Sequence, residues 1–91
     1  MLLYATADDQ PVVSFKSDPG YYDNVFVGDK TAEVRLLSRS ELADLLTHDP
    51  EFIEVTELDG RNPLRFPISY WHEVGEMVGS TLVLFCWQGG S

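Results

Sequence analysis

Apolar and polar residues alternate with period two through most of this chain, and only one segment keeps a helical period. Residues 2–6 form a short apolar run that predicts a strand, closed by the polar turn Ala7-Asp8-Asp9-Gln10-Pro11. Residues 12–16 alternate, with Val13 and Phe15 on one face and Ser14 and Lys16 on the other. Successive strand side chains leave opposite faces, so this is the pattern of a half-buried strand. Ser17-Asp18-Pro19-Gly20 has turn chemistry, because Pro presets φ and Gly tolerates positive φ. Tyr21 to Asp23 then lead into residues 24–27, a third expected strand closed by Gly28-Asp29-Lys30. Residues 33–37 alternate again, with Val34 and Leu36 apolar and Arg35 between them.

The helical segment follows. Ser38-Arg39-Ser40-Glu41 fits a capping box, in which Ser38 accepts from the third helical amide and Glu41 reaches back to the cap. Leu42, Leu45 and Leu46 recur at helical spacing, with Glu41 and Asp44 on the opposite face. His48-Asp49-Pro50 ends the helix, since a residue before Pro is pushed out of the α region.

Residues 52–58 predict a strand with Ile53 and Val55 inward and Glu54 and Thr56 outward. Asp59-Gly60 is a hairpin signal lengthened by Pro63, residues 64–66 return, and Pro67 confines that strand to an edge or an end. Residues 68–78 read as an irregular aromatic segment or one helical turn, limited by Gly75 and Gly79. Residues 81–87 are continuously apolar, the pattern of a central strand covered on both faces. The expected fold is α+β: a small single domain with an antiparallel sheet of five to seven short strands, and one clear helix over about 39–47 packed on it. Residues 1–87 make one globular domain and 88–91 a flexible tail.

Composition supports a core: 44% of residues are hydrophobic and eleven are aromatic (Phe 5, Tyr 4, Trp 2). The single Cys86 rules out an internal disulfide and favours a reducing compartment. The N-terminus has no basic region followed by a long apolar one, as a signal peptide requires, and no apolar run approaches about 18 residues. The cytoplasm is the expected location, that of the host cell if the protein is phage-encoded.

Charge changes the picture most. The net charge is −9, and seven of the fifteen carboxylates (Glu41, Asp44, Asp49, Glu51, Glu54, Glu57, Asp59) fall in a stretch with no Lys or Arg. Such a field repels nucleic acid and anionic membrane and attracts basic surfaces. No catalytic motif accompanies it. His72, Glu73 and Glu76 suggest one arm of a metal site, but Glu76 stands where a zincin needs its second His. Gly28-Asp29-Lys30-Thr31 lacks the glycines of a phosphate loop, and no serine sits in a nucleophile elbow. No enzyme activity, cofactor or metal is expected.

The expected contact residues are Glu41, Asp44, Asp49, Glu51, Glu54 and Glu57, with Tyr21, Tyr22, Tyr70 and Trp71 as aromatic anchors. Acids spaced over a helix face and a strand face resemble a row of phosphates. The expected function is therefore a small acidic protein-binding inhibitor, encoded by a phage or mobile element. It covers a basic, nucleic-acid-handling surface on a host defence complex, as an anti-CRISPR protein does. The alternatives are an immunity protein that neutralises a toxin, a small enzyme or metal-binding domain using His72, Glu73 and Glu76, and a homodimeric subunit joined along a strand.

Overall fold

A computed structural model of the chain describes residues 1–28 and 30–88. Its elements are β1 (Leu2–Ala5), β2 (Pro11–Lys16), α1 (Pro19–Phe26), β3 (Ala32–Leu37), α2 (Arg39–His48), β4 (Phe52–Thr56), β5 (Leu64–Met77) and β6 (Ser80–Trp87). Among the described residues, six strands form one mixed sheet in the order β1-β2-β4-β5-β6-β3, with two helices. The fold is α+β, as the patterning predicts. Four of the five strand pairings are antiparallel; β2 and β4 run parallel, because α1, β3 and α2 all intervene before the chain returns. Apart from Gln88, the tail expected at 88–91 lies outside the described residues. Among the described residues no helix is long and apolar enough to cross a membrane.

Three elements differ from the sequence expectation. The strand expected at 24–27 belongs to helix α1. Asp18 is its N-cap, accepting from the Tyr21 amide at 2.9 Å, and Pro19 occupies the first turn, where its missing N–H costs nothing. Asp-Pro-Gly is thus a helix start here, and Val25 and Tyr22 gain burial that strand alternation would deny them.

The irregular segment expected at 68–78 is the second part of β5, a single strand of fourteen residues. Pro67 stands inside it, at the last position paired with β4; from Ile68 onward the strand pairs with β6. The ladder changes partner at the residue that cannot donate. β6, in turn, is covered on one face only: Val83, Phe85 and Trp87 are buried, while Leu82, Leu84 and Cys86 are half-buried.

The core lies on the face shared by Val13, Phe15, Ile53, Val55, Leu37, Val83, Phe85 and Trp87. Tyr22 and Val25 of α1 and Leu45 of α2 close it, whereas Leu46 faces solvent. The α2 cap forms as the sequence predicts, with Ser38 Oγ accepting from Glu41 N–H at 3.2 Å and Glu41 Oε1 accepting from Ser38 N–H at 3.0 Å.

β3 presents two of its apolar residues, Val34 and Leu36, outward. Its register against β6 sets Leu37, Arg35 and Glu33 on the core side and leaves Val34 and Leu36 each 51% exposed. Burying Leu37 fixes this parity, because residues two apart share a face. Arg35 fits the inner position by laying its guanidinium over the Phe15 ring, 5.0 Å from the centroid.

The β5–β6 hairpin turns through Val78 and Gly79, both at positive φ (45° and 80°), with Met77 opposite Ser80. Two residues at positive φ suit Asn-Gly, whereas a β-branched residue is strained there. Val78 is fully exposed and offsets none of that strain. Val78→Asn is expected to raise stability by about 1 kcal/mol, read as a higher urea midpoint with an unchanged slope.

Candidate functional site

The structure separates the ten expected contact residues into distinct places. Four converge. Asp49, Glu51, Tyr70 and Trp71 line one cleft of about 500 Å³, with Pro50, Ile68 and Ser69 completing it. Asp49 caps α2 in the left-handed conformation (φ 45°), which turns the chain sharply out of the helix. Buried Pro50 follows. Glu51 is then held from both sides: its N–H donates to the Pro11 carbonyl and its carbonyl accepts from Ile68 N–H, each at 2.9 Å. The backbone is fixed while both carboxylates stay in solvent.

On the opposite wall a register shift in β5 between Ile68 and Tyr70 redirects two successive aromatics. Tyr70 is 51% exposed and stacks on His72, with ring centroids 5.3 Å apart. Trp71 is half-buried and leans on Phe85, with centroids 6.3 Å apart. The cleft thus gathers two exposed carboxylates and two aromatic residues, groups whose chemistry suits a Lys or Arg side chain. The carboxylates pair with its charge and the ring faces attract the same cation.

The remaining expected contacts go elsewhere. Asp44 is exposed on α2, and Glu41 lends its carboxylate to the cap. Tyr22, expected as a surface anchor, belongs to the core and donates its hydroxyl to the Asn62 carbonyl. Glu57 accepts from Asn62 Nδ2 at 2.8 Å and lines a second cleft with Tyr22 and Phe26.

Glu54, expected on the outer strand face, is 7% exposed. Its face of the sheet is covered where Tyr4 and Arg65 reach across β2 and β4. Glu54 accepts from the Tyr4 hydroxyl, from Ser14 Oγ at 2.9 Å and from Arg65 Nη2 at 3.3 Å. It is a structural carboxylate, outside any acidic contact array.

The helical spacing imagined for His72 and Glu76 also lapses. In an extended strand such residues stand about 13 Å apart, and His72 and Glu73 alternate between faces. Among the described residues no group of three His, Cys, Asp or Glu side chains is placed to hold a metal ion.

Sequence reasoning missed a third cleft, between the start of α1 and the inner face of β3. It has a volume of about 630 Å³ and is lined by Lys16, Ser17, Tyr21, Lys30, Glu33 and Arg35, among others. Three of the six cations of the chain meet there. The legible signal was the Glu33/Arg35 spacing of two, in the same parity as buried Leu37. Arg35 is tied on three sides, donating to Glu33 Oε1, to the Lys16 carbonyl at 3.1 Å and to Ser17 Oγ at 3.4 Å. Lys30 Nζ lies over the Tyr21 ring, 4.0 Å from the centroid.

Burial pushes the Tyr21 phenol well above its ordinary value, and the nearby Glu33 carboxylate adds to the rise. Burial also raises Glu33, with Arg35 opposing. A phenol raised on folding holds its proton more tightly in the folded state. Its stabilisation is therefore complete below the unfolded value, near 10, and is lost as pH climbs above it. Alkaline titration of folding should show a falling limb beginning near pH 10. Tyr21→Phe should flatten that limb, measured by circular dichroism across the alkaline range, with little change at neutral pH.

No protein-family model matches this chain, and comparison with curated proteins and with solved structures finds no significant match.

Proposed function

We propose that this chain is a protein-binding module that docks its acidic, aromatic-lined end against a basic surface of a partner. The observation carrying this reading is the meeting of Asp49 and Glu51 with Tyr70 and Trp71 in one cleft, on a chain of net charge −9. The long-range field speeds encounter, and insertion of a Lys or Arg side chain between carboxylates and rings sets the lifetime. Surfaces rich in spaced Lys and Arg are those that handle nucleic acid. The specific form of the proposal is an inhibitor that occupies such a surface on a host defence complex, in the manner of an anti-CRISPR protein.

The test is affinity capture from host lysate, comparing the wild-type chain with the triple reversal Asp44→Lys/Asp49→Lys/Glu51→Lys. Only the wild type should retain nucleic-acid-binding proteins, and salt should release them. Reversing exposed carboxylates at a binding centre is expected to weaken the captured complex by about 100-fold or more. Equal capture of the same proteins by both forms would overturn the reading. Capture of a single toxic effector instead would favour the immunity-protein alternative.

A further inference from the structure

β5 loses its neighbour on one side partway along its length. Its contact with the β4 side ends where Ile68 N–H donates to the Glu51 carbonyl, and the residues before Glu51 belong to the turn out of α2. From Tyr70 to Met77 the strand pairs with β6 alone. Trp87 N–H donates to the Thr31 carbonyl, so Trp87 turns its backbone to β3, and alternation turns Cys86, Leu84 and Leu82 to β5. Their partners Tyr70, His72 and Gly75 are therefore bonded, while Trp71 and Glu73 aim N–H and C=O the other way. Among the described residues no group bonds them there.

An open edge is a template for another extended chain, and its surroundings select which one. No residue from Ser69 to Met77 is buried. The edge begins at the cleft of Asp49, Glu51, Tyr70 and Trp71 and carries Glu73 and Glu76 along it. No Lys or Arg follows Arg65 in the chain. A second copy would set these carboxylates against their own kind, between chains of net charge −9, which opposes pairing. A basic segment meets opposite charge over the same length. The register shifts at Ile68/Tyr70 and Glu73/Gly75 bound the regular part of the edge and centre it on Trp71.

We propose that an extended, Lys- or Arg-bearing segment of the partner adds to the β5 edge as a strand, in the place that β4 leaves at Glu51. Its main chain bonds Trp71 and Glu73, and its cations meet Asp49, Glu51 and Glu73. This mode of binding rests on the docking reading given above and adds the conformation in which the basic partner arrives.

The experiment is an amide-resolved NMR titration of the full chain with a short capped peptide alternating lysine and valine. Saturable shifts should centre on Trp71 and Glu73, with slowed hydrogen exchange of those two amides. Methylating the amide nitrogens of the peptide removes its donors and should weaken binding about tenfold or more. Exchanging its lysines for glutamates should abolish binding. Glu73→Gln should weaken the peptide through charge alone, and Glu73→Pro, which also removes a free-edge donor, should weaken it further. Equal binding of the methylated peptide, or equal binding to the two variants, would overturn strand addition; shifts persisting at Asp49, Glu51 and Tyr70 would then leave the docking cleft standing without it. Absence of saturable shifts would overturn strand addition too, while capture from lysate still judges the docking reading. Concentration-dependent shifts at Trp71 and Glu73 in the chain alone would overturn it in favour of a second copy. Should Glu73→Pro fail to fold, the methylated peptide decides the matter alone.

Discussion

Phe85→Ala is expected to lower the stability of this domain by about 4 kcal/mol, the largest effect of any single truncation in the core. Phe85 is fully buried and meets the Phe15 ring at 5.3 Å and the Trp71 ring at 6.3 Å between centroids. Its removal loses the transfer free energy of the ring, leaves a cavity and breaks both aromatic contacts. A domain of this size holds only about 5–13 kcal/mol in total, so a large share of the stability rests on one ring. The melting midpoint should fall by about 20 °C in scanning calorimetry. Val34→Ala, on the outward face of the neighbouring strand, should change stability by no more than about 0.5 kcal/mol. A small effect at Phe85 would mean that the sheet does not converge on this ring.

Glu54→Ala should cost about 2 kcal/mol. The loss leaves Ser14 Oγ buried without its acceptor and frees Arg65 and Tyr4 from the carboxylate they share. The Arg65 side chain is 43% exposed and regains water, which holds the cost below that of a deeply buried pair. Glu54→Gln retains a carbonyl acceptor and should cost about half as much. Urea unfolding of Glu54→Ala, Arg65→Ala and the double variant measures the coupling, expected near 1 kcal/mol. An exposed contact acid would behave oppositely, with negligible loss on truncation. The experiment therefore separates the outward position that strand alternation predicts from the buried one observed.

Where the sequence was legible, and where it was not, follows from what period and chemistry can encode. The α2 capping box and the inward Val13, Phe15, Ile53 and Val55 are local statements, and the structure repeats them, whereas the half-buried β2 that alternation predicts is buried from Val12 to Phe15, Ser14 included. Helix α1 was hidden because Asp-Pro-Gly serves a turn and a helix start equally well, and its eight residues carry little periodicity. β5 was hidden because Pro67 signals an end, and only the pairing shows that the end is a change of partner.

The faces of Glu54 and Glu33 depend on what crosses over them from distant strands, namely Tyr4 and Arg65 for one and Tyr21 and Arg35 for the other. No local pattern carries that information. Of the expected contact residues, the structure unites Asp49 and Glu51 with Tyr70 and Trp71, about twenty residues away in the chain. The reason is the β4–β5 hairpin, which lays Pro67 against Phe52.

The parallel pairing of β2 with β4 also sets an order of events for a chain leaving the disordered state. Val12 and Phe52 are neighbours in the ladder only after α1, β3 and α2 have been looped out between them. The β5–β6 turn, by contrast, brings together Met77 and Ser80. Closing the short loop forfeits little chain freedom, and closing the long one forfeits more before any contact compensates it. The C-terminal hairpin is thus the natural nucleus. The pairings of β2 with β4 and of β3 with β6 both close long stretches of chain and carry the greater entropic cost.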